Sequence, residues 1–382
     1  MRVGLLTYGV ERPLSGVTRV ALELGRALSH IPCEDIELVY LTTYRHGPFR
    51  ERRSNAALWL PGCRLLPGLM LLGGLTVSLA ARLARLDVVH DPVGIAPFWM
   101  PRALAPYGRL VTLHDAIAYR FPQGYSVWNN LLHRHYIPRE LRHVDGVVTV
   151  SEHARRELQA FLPLASLPIH VVPNAVAASF RPRAEAEQAA TVAQLGLQRP
   201  YVLSLCAQQE RKNLPRLIHA FARLAPRYPD LRLALAGPKL WSYHAAEIAI
   251  QETGLTHRII RLGYVPDAHV PALYTAAELF CFPSLYEGFG LPVLEALACG
   301  TPTVAARATA LPEVGGDAVE YVDPLSVEDI AAGIERVLTD QDLRRNLRER
   351  GLERSQLFRW SNVAKQMVAI YQRYVPGGWA PS

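Results

Sequence analysis

The chain has 382 residues, half of them hydrophobic and a fifth charged. That balance excludes a disordered protein, and the length exceeds one ordinary core, so two domains are expected. Lys and Arg number 41 against 34 Asp and Glu, a net charge of +7; so moderate an excess suits anionic substrates, an anionic membrane surface or plain solubility, and no base-reading motif makes nucleic acid a partner.

The N-terminal "RVGLLTY" is a short apolar run before charges, a first strand rather than a signal peptide. "GVTRVALELGRALSHI" repeats apolar residues at helical spacing. "IELVYL", "DVVH", "RLVTLHD", "GVVTVS" and "IHVVPN" are short apolar runs closed by polar or turn residues, as buried parallel strands are. Helical patterns such as "SEHARRELQAFL" lie between most of them, giving one α/β domain over 1–175. Within it, "LLPGLMLLGGLTVSLAA" (65–81) has no charge and nearly reaches membrane-spanning length. Pro67, Gly68, Gly73 and Gly74 interrupt it, and "RLARLDVVHD" follows at once. A buried or surface-docking helix is the first reading and membrane contact the second, ahead of a true span.

The composition then shifts to the polar, Ala-rich "AASFRPRAEAEQAATVAQLGLQRP", a linker with a short helix. A second α/β series follows over 176–355, with strands at "YVLSLCA", "LRLALAG", "RIIRLGY", "LFCFPS", "TPTVAA" and "AVEYVD". An amphipathic helix around "FRWSNVAKQMVAIYQRYV" occupies the last segment, 356–382. Two doubly wound α/β domains in tandem normally take ligands at the carboxyl ends of their strands, in a cleft between them. The cysteines Cys33, Cys63, Cys206, Cys281 and Cys299 form no CxxC and no zinc spacing, which fits a reducing compartment. His133 and His135 form no metal-ligand spacing either. There is no G-x-G-x-x-G and no G-x-S-x-G.

"LYEGFGLPVLEALACG" carries the chemistry. Gly288 and Gly290 let the chain turn after a strand, Pro292 suits the first turn of a helix, and Gly300 suits its C-terminal cap. The N-terminus of that helix suits a phosphate. Glu287 sits in the turn, and Glu295, about one turn into the helix, can lean back toward it. Two carboxylates around an anion-friendly turn suit sugar or ribose hydroxyls; helix capping by one and solvation of the other is the competing reading. Arg211 and Lys212 in "LCAQQERKNLPRL" stand between a strand and a helix, where the dipole disfavours cations. A pyrophosphate would account for both, and two solvated charges would also fit.

"EGFGLPVLE" followed by "ALACGTPTVA" resembles the E-x7-E signature of the retaining glycosyltransferases of family 4, which have the GT-B fold of two Rossmann-like domains facing a central cleft. The resemblance runs through nearly the whole chain in order: "SGVTRVALELGRAL", "LVTLHDAIAYRFP", "VVTVSEHARREL", "VVPNAV", the "RKN" of a bacterial mannosyltransferase-like branch, and "IIRLGYVPDAHVPALY". It implies that Gly16 and Val17 approach a donor diphosphate, and that His114, with Asp115 beside it, meets the donor sugar. Arg211 and Lys212 would hold the diphosphate, Lys212 transferring the more directly of the two. Main-chain groups of Gly263, Tyr264 and Val265 would hold the base, with Gly237 and Lys239 as weaker candidates. Glu287 would bind sugar hydroxyls, Gly288, Phe289, Gly290 and Leu291 would supply the donor-binding turn, and Glu295 would bind the ribose. Ser151 and Asn174 match landmarks that serve equally as framework, Ser151 as a helix N-cap.

The resemblance further implies transfer of a sugar, mannose first, from a nucleotide diphosphate such as GDP-mannose or a UDP-sugar, with retention and without a metal or other cofactor. The acceptor would be a saccharide or lipid-linked saccharide, met by loops around 45–68 and 119–135. The expected place is the cytoplasm, with a peripheral position at the inner face of the membrane as the second expectation. The other readings are a GT-B phosphorylase, for which the chain is short, a nucleotide-sugar epimerase, and a catalytically inactive nucleotide-sugar-binding protein.

Overall fold

The computed structural model describes residues 1–9, 16–32, 35–44, 56–124, 126–238 and 244–377. The chain forms two compact units, Met1–Asn174 with Trp360–Ser382, and Ala175–Arg359.

The first unit is built on seven parallel strands: β1 (Arg2–Leu6), β2 (Glu37–Thr42), β3 (Ala56–Trp59), β4 (Val88–Asp91), β5 (Gly108–Thr112), β6 (Gly146–Thr149) and β7 (Ile169–Val171). Their order is β3-β2-β1-β4-β5-β6-β7. β4, β5 and β6 are buried along their whole length, because helices cover both faces of a parallel sheet. Between β1 and β2 the helix Gly16–Leu28 buries Val20, Ala21, Leu24 and Leu28 at helical spacing. The edge strand β3 is half-exposed and was not evident as an apolar run. The 65–81 stretch forms the helix Leu66–Leu83, with Leu69, Val77, Ala80 and Ala81 buried.

The chain returns to this unit for its last helix, Trp360–Gln372, which packs on Gly16–Leu28. Tyr371 is fully buried, and its hydroxyl lies 2.8 Å from Nδ1 of the buried His90. Tyr374 closes over two strands at glycine. A Cβ on Gly108 would stand 2.2 Å from the Tyr374 carbonyl oxygen, and one on Gly146 2.3 Å from its hydroxyl. That hydroxyl is also 2.7 Å from His170 Nε2.

The second unit has six parallel strands: β8 (Tyr201–Leu205), β9 (Arg232–Ala236), β10 (Ile259–Gly263), β11 (Leu279–Phe282), β12 (Thr303–Ala306) and β13 (Glu320–Val322). They are ordered β10-β9-β8-β11-β12-β13. The helix Leu214–Leu224 buries Leu214, Leu217, Ile218, Phe221 and Leu224 in one stripe. Cys63, Cys206, Cys281 and Cys299 are buried free thiols, as small hydrophobes are. Cys33 and Lys239 lie outside the described residues, as do residues 45–55 of the expected acceptor loops.

In each sheet the strand order reverses once, between β1 and β4 in the first and between β8 and β11 in the second. All strands run parallel, so the loops leaving their carboxyl ends gather on one edge of each sheet. The reversal opens that edge between the loops after its two central strands, where open α/β sheets take ligands.

Candidate functional site

In the second unit the loop after β8 carries Arg211 and Lys212, and the loop after β11 carries Glu287. These are the two loops at the reversal, and their side chains meet. Lys212 Nζ donates to Glu287 Oε1 at 2.6 Å, and Arg211 Nη1 donates to the same oxygen at 2.9 Å. Ser284 Oγ donates to it as well, at 2.6 Å. One carboxylate oxygen thus gathers three donors, and none of the three uses Oε2. Lys212 and Glu287 are buried. Burial pushes the Glu287 carboxyl up, but the Arg211 guanidinium, the Lys212 ammonium and the hydrogen bonds outweigh it and hold it below its ordinary value. Burial lowers the Lys212 ammonium, with Glu287 pulling the other way.

The sequence reading left out the residues that hold this group. Asn213 takes a left-handed backbone (φ 59°), which lets the chain turn from Lys212 straight into the helix Leu214–Leu224. Its Nδ2 donates to the carbonyls of Pro283 and Pro324 at 3.0 and 2.7 Å, tying the Lys212 loop to the end of β11. The Arg211 carbonyl accepts from Leu285 N at 2.7 Å, and Arg211 Nη1 also reaches the Tyr286 carbonyl at 3.0 Å. Thr309, itself left-handed at φ 54°, accepts from Glu287 N through its hydroxyl at 3.1 Å. The Lys212 ammonium stands 4.7 Å from the centre of the Phe282 ring, a cation–π contact.

After Glu287 the chain passes Gly288 and Phe289 to Gly290, whose φ of 114° requires glycine. The helix Leu291–Ala298 then begins with Pro292, which has no N–H, in its first turn, and Val293 N and Leu294 N both donate to the Gly290 carbonyl, at 3.0 and 3.2 Å. Glu295 is buried on this helix and accepts from the Tyr274 hydroxyl at 3.3 Å. It stays apart from the three-donor knot on Glu287. Gly263 closes β10 at φ 64°, and its carbonyl accepts from Gly237 N at 2.7 Å, joining the ends of β9 and β10. Tyr264 is exposed and Val265 buried. All of these lie on the carboxyl edge of the sheet.

In the first unit Gly16 opens its helix, exposed, with nothing within 4 Å of where a Cβ would stand, and Val17 is half-buried beside it. At the end of β4, the fully buried Asp91 accepts four backbone N–H groups: Val93 and Gly94 on Oδ1 at 2.9 and 3.3 Å, Ile95 and Ala96 on Oδ2 at 2.7 Å each. That cage shapes the loop after β4 and presents the Pro92 carbonyl to His114 Nε2, 2.9 Å away. A carbonyl only accepts, so Nε2 carries the proton. Burial pushes the His114 imidazole down, against the opposing pull of that hydrogen bond and of Asp115 and Asp91. The ring is therefore neutral, and its Nδ1 offers a lone pair to a hydroxyl. Asp115 Oδ1 accepts from Ile117 N at 2.9 Å and shapes the following turn.

Among the described residues no three His, Cys, Asp or Glu side chains group to ligate a metal. The second unit presents two cations and a helix N-terminus suited to an anion, with a carboxylate that keeps one oxygen outside the knot; the first unit, taken by itself, presents a neutral imidazole acceptor.

The chain is similar throughout to known proteins. Residues 14–180 match the family model Glycosyltransferase Family 4, and residues 187–354 match Glycosyl transferases group 1. O-antigen chain mannosyltransferase B of Escherichia coli is 29% identical over 388 residues, covering 97% of this chain and all of its own. The MMP alpha-(1->4)-mannosyltransferase of Mycolicibacterium hassiacum is 31% identical, covering 78% of this chain and 73% of its own. Among solved structures, sucrose-phosphate synthase of Thermosynechococcus elongatus aligns with a TM-score of 0.76 at 23% identity, over 97% of this chain and 98% of its own. Anabaena HepE in complex with UDP and glucose aligns at 0.73 and 20% identity, over 96% and 98%. The fold is GT-B, and the chain belongs to the group 1, family 4 glycosyltransferases.

Proposed function

We propose that this glycosyltransferase moves a mannosyl residue from GDP-mannose to a hydroxyl of a lipid-linked saccharide, with retention and without a metal, on the cytoplasmic side of a membrane. The observation that carries the site reading is the knot of Arg211, Lys212 and Ser284 on one oxygen of Glu287. It sets cations for a diphosphate beside a carboxylate oxygen for sugar hydroxyls. The choice of mannose is supported by relatives named as mannosyltransferases.

In this reading Arg211, Lys212 and the amides from Phe289 to Leu291, with Gly16 and Val17, stabilise charge growing on the leaving diphosphate, an electrostatic term that is often the largest in catalysis. Glu287 Oε2 accepts from donor-sugar hydroxyls, His114 Nδ1 accepts from another, and Asp115 supports its turn. Glu295 takes the ribose, and main-chain groups of Gly263, Tyr264 and Val265 take the base. The leaving phosphate oxygen removes the acceptor proton as the new glycosidic bond forms on the same face, so no protein nucleophile is required.

The test is thermal stabilisation by GDP-mannose against UDP-glucose and the other common nucleotide sugars, followed by transfer assays with and without EDTA. The cognate donor is expected to stabilise strongly and to give a product of unchanged anomeric configuration. Stabilisation by UDP-sugars alone would overturn the choice of donor, and EDTA-sensitive transfer would overturn metal independence.

A further inference from the structure

The helix Leu66–Leu83 is long and apolar enough to cross a membrane by length and composition, yet it is seated on the first unit by one face. Small residues make the seat. A Cβ on Gly73 would stand 2.7 Å from Pro97 Cβ, and one on Gly74 2.5 Å from the Trp99 ring. The opposite face is apolar and open: Leu71 is 73% exposed, Leu72 45%, Leu75 52%, Leu79 57% and Leu83 74%. At about 100° per residue these leucines form one stripe about 120° wide. A soluble surface helix would carry charge there.

The charges present are all of one sign. Between residues 56 and 86 there is no Asp or Glu, and the three ionic residues are arginines, Arg64 before the helix and Arg82 and Arg85 at its end. All three are exposed. Tyr136 donates to the Met70 carbonyl and ties in the neighbouring segment, where Val127, Trp128 and Leu131 are also exposed. An apolar stripe with arginines at both ends is the pattern of a helix lying in a bilayer interface. A second copy fits poorly, because two such helices laid together, parallel or antiparallel, set arginine against arginine.

We propose that this face docks the enzyme on an anionic lipid surface, with the helix lying in the headgroup plane, its leucines in the acyl boundary and Arg64, Arg82 and Arg85 on lipid phosphates. The helix does not span, since its other face is committed to the unit's core. This goes beyond the reaction proposed above and does not depend on it.

The experiment is co-sedimentation of the full chain, without donor or acceptor, with vesicles of equal parts phosphatidylglycerol and phosphatidylcholine, and with phosphatidylcholine alone. The wild type is expected to pellet with the anionic vesicles and much less with the neutral ones. Leu75→Asp with Leu79→Asp is expected to lower the partition by about tenfold or more. Arg82→Gln and Arg85→Gln are each expected to lower it about fivefold, on the anionic vesicles only. Leu75→Ser with Leu79→Ser replaces the aspartate pair if its melting curve shows misfolding. Three results overturn the proposal: wild type left in the supernatant, leucine variants that bind as well as wild type, or a soluble dimer that the aspartates dissolve and vesicles do not capture. None of them touches the transfer assay.

Discussion

Exchanging Glu287 for glutamine keeps the side chain's shape and removes the negative charge between Arg211 and Lys212. In the wild type those cations lie 2.9 and 2.6 Å from one oxygen, and the side chains of Arg211, Lys212 and Glu287 are only 15%, 7% and 9% exposed. Little water is present to take over. Breaking a buried ion pair from one side costs about 3–5 kcal/mol. Arg211 keeps its bonds to the Tyr286 carbonyl and to Gln209 Oε1, which places the loss near the lower end. For a domain of this size about 3 kcal/mol corresponds to a fall in melting temperature of roughly 6–12 °C. A nucleoside diphosphate would bring negative charge to the same cations, so GDP or UDP is expected to restore more stability in Glu287→Gln than it adds to the wild type. Turnover is expected to fall by about two to three orders of magnitude, as when a stabilising group is removed from a transition state. Scanning calorimetry with and without nucleotide, beside a transfer assay, measures all three. A variant that melts within about a degree of wild type, or that nucleotide stabilises less than wild type, would refute the account of this knot.

Other outcomes follow from the same contacts. Lys212→Ala is expected to lose both nucleotide stabilisation and transfer, where Glu287→Gln loses transfer alone; titration with GDP separates them. Gly290→Ala forces a side chain onto a φ of 114° and sets its Cβ 2.6 Å from Leu311 Cδ2; about 1–3 kcal/mol of stability is expected to go, with weaker donor binding, read by melting and KM. His90 gives a pH test. Burial and the nearby His114 push its imidazole down to about 3 from 6.5, so only the unfolded chain takes the proton between those values. Stability from His90 is therefore full above pH 6.5 and falls as pH falls, levelling near 3. Glu140, pushed up to about 7 by burial, works in the opposite sense between 4.5 and 7. The comparison is thus between wild type and His90→Gln, which share Glu140. Urea unfolding from pH 7 to 4 is expected to show the variant losing stability less steeply, by about 1.4 kcal/mol per pH unit, and parallel slopes would contradict it.

The strands were legible because a parallel sheet covered on both faces needs unbroken apolar runs, and "VVHD", "RLVT" and "LFCF" are such runs. β3 escaped because "AALW" is half-exposed at an edge and has no β-branched residue. Local caps were legible too: Ser151 Oγ accepts from Ala154 N at 2.9 Å, and Gly300 is left-handed after its helix. Ser284, Asn213 and Thr309 were not. Ser284 serves Glu287 three residues on and Arg211 seventy-three residues back, and no period or spacing in the chain announces such a meeting. Asp91 left a readable trace, an aspartate closing a strand ahead of "PVG", where Asp side chains bond the backbone that follows.

The packing of Tyr371 and Tyr374 bears on the order in which the protein is completed during synthesis. His90 and the glycine floors at 108 and 146 leave the ribosome early, but the aromatic rings that cover them arrive roughly two hundred residues after Asn174. At about 5–20 residues per second that delay is on the order of 10–40 s. The second unit is one uninterrupted stretch, Ala175–Arg359, and has all its parts before Trp360 is made. The domain encoded second is therefore the first that can finish folding, and the domain encoded first stays open on one face until Tyr371 and Tyr374 have been made.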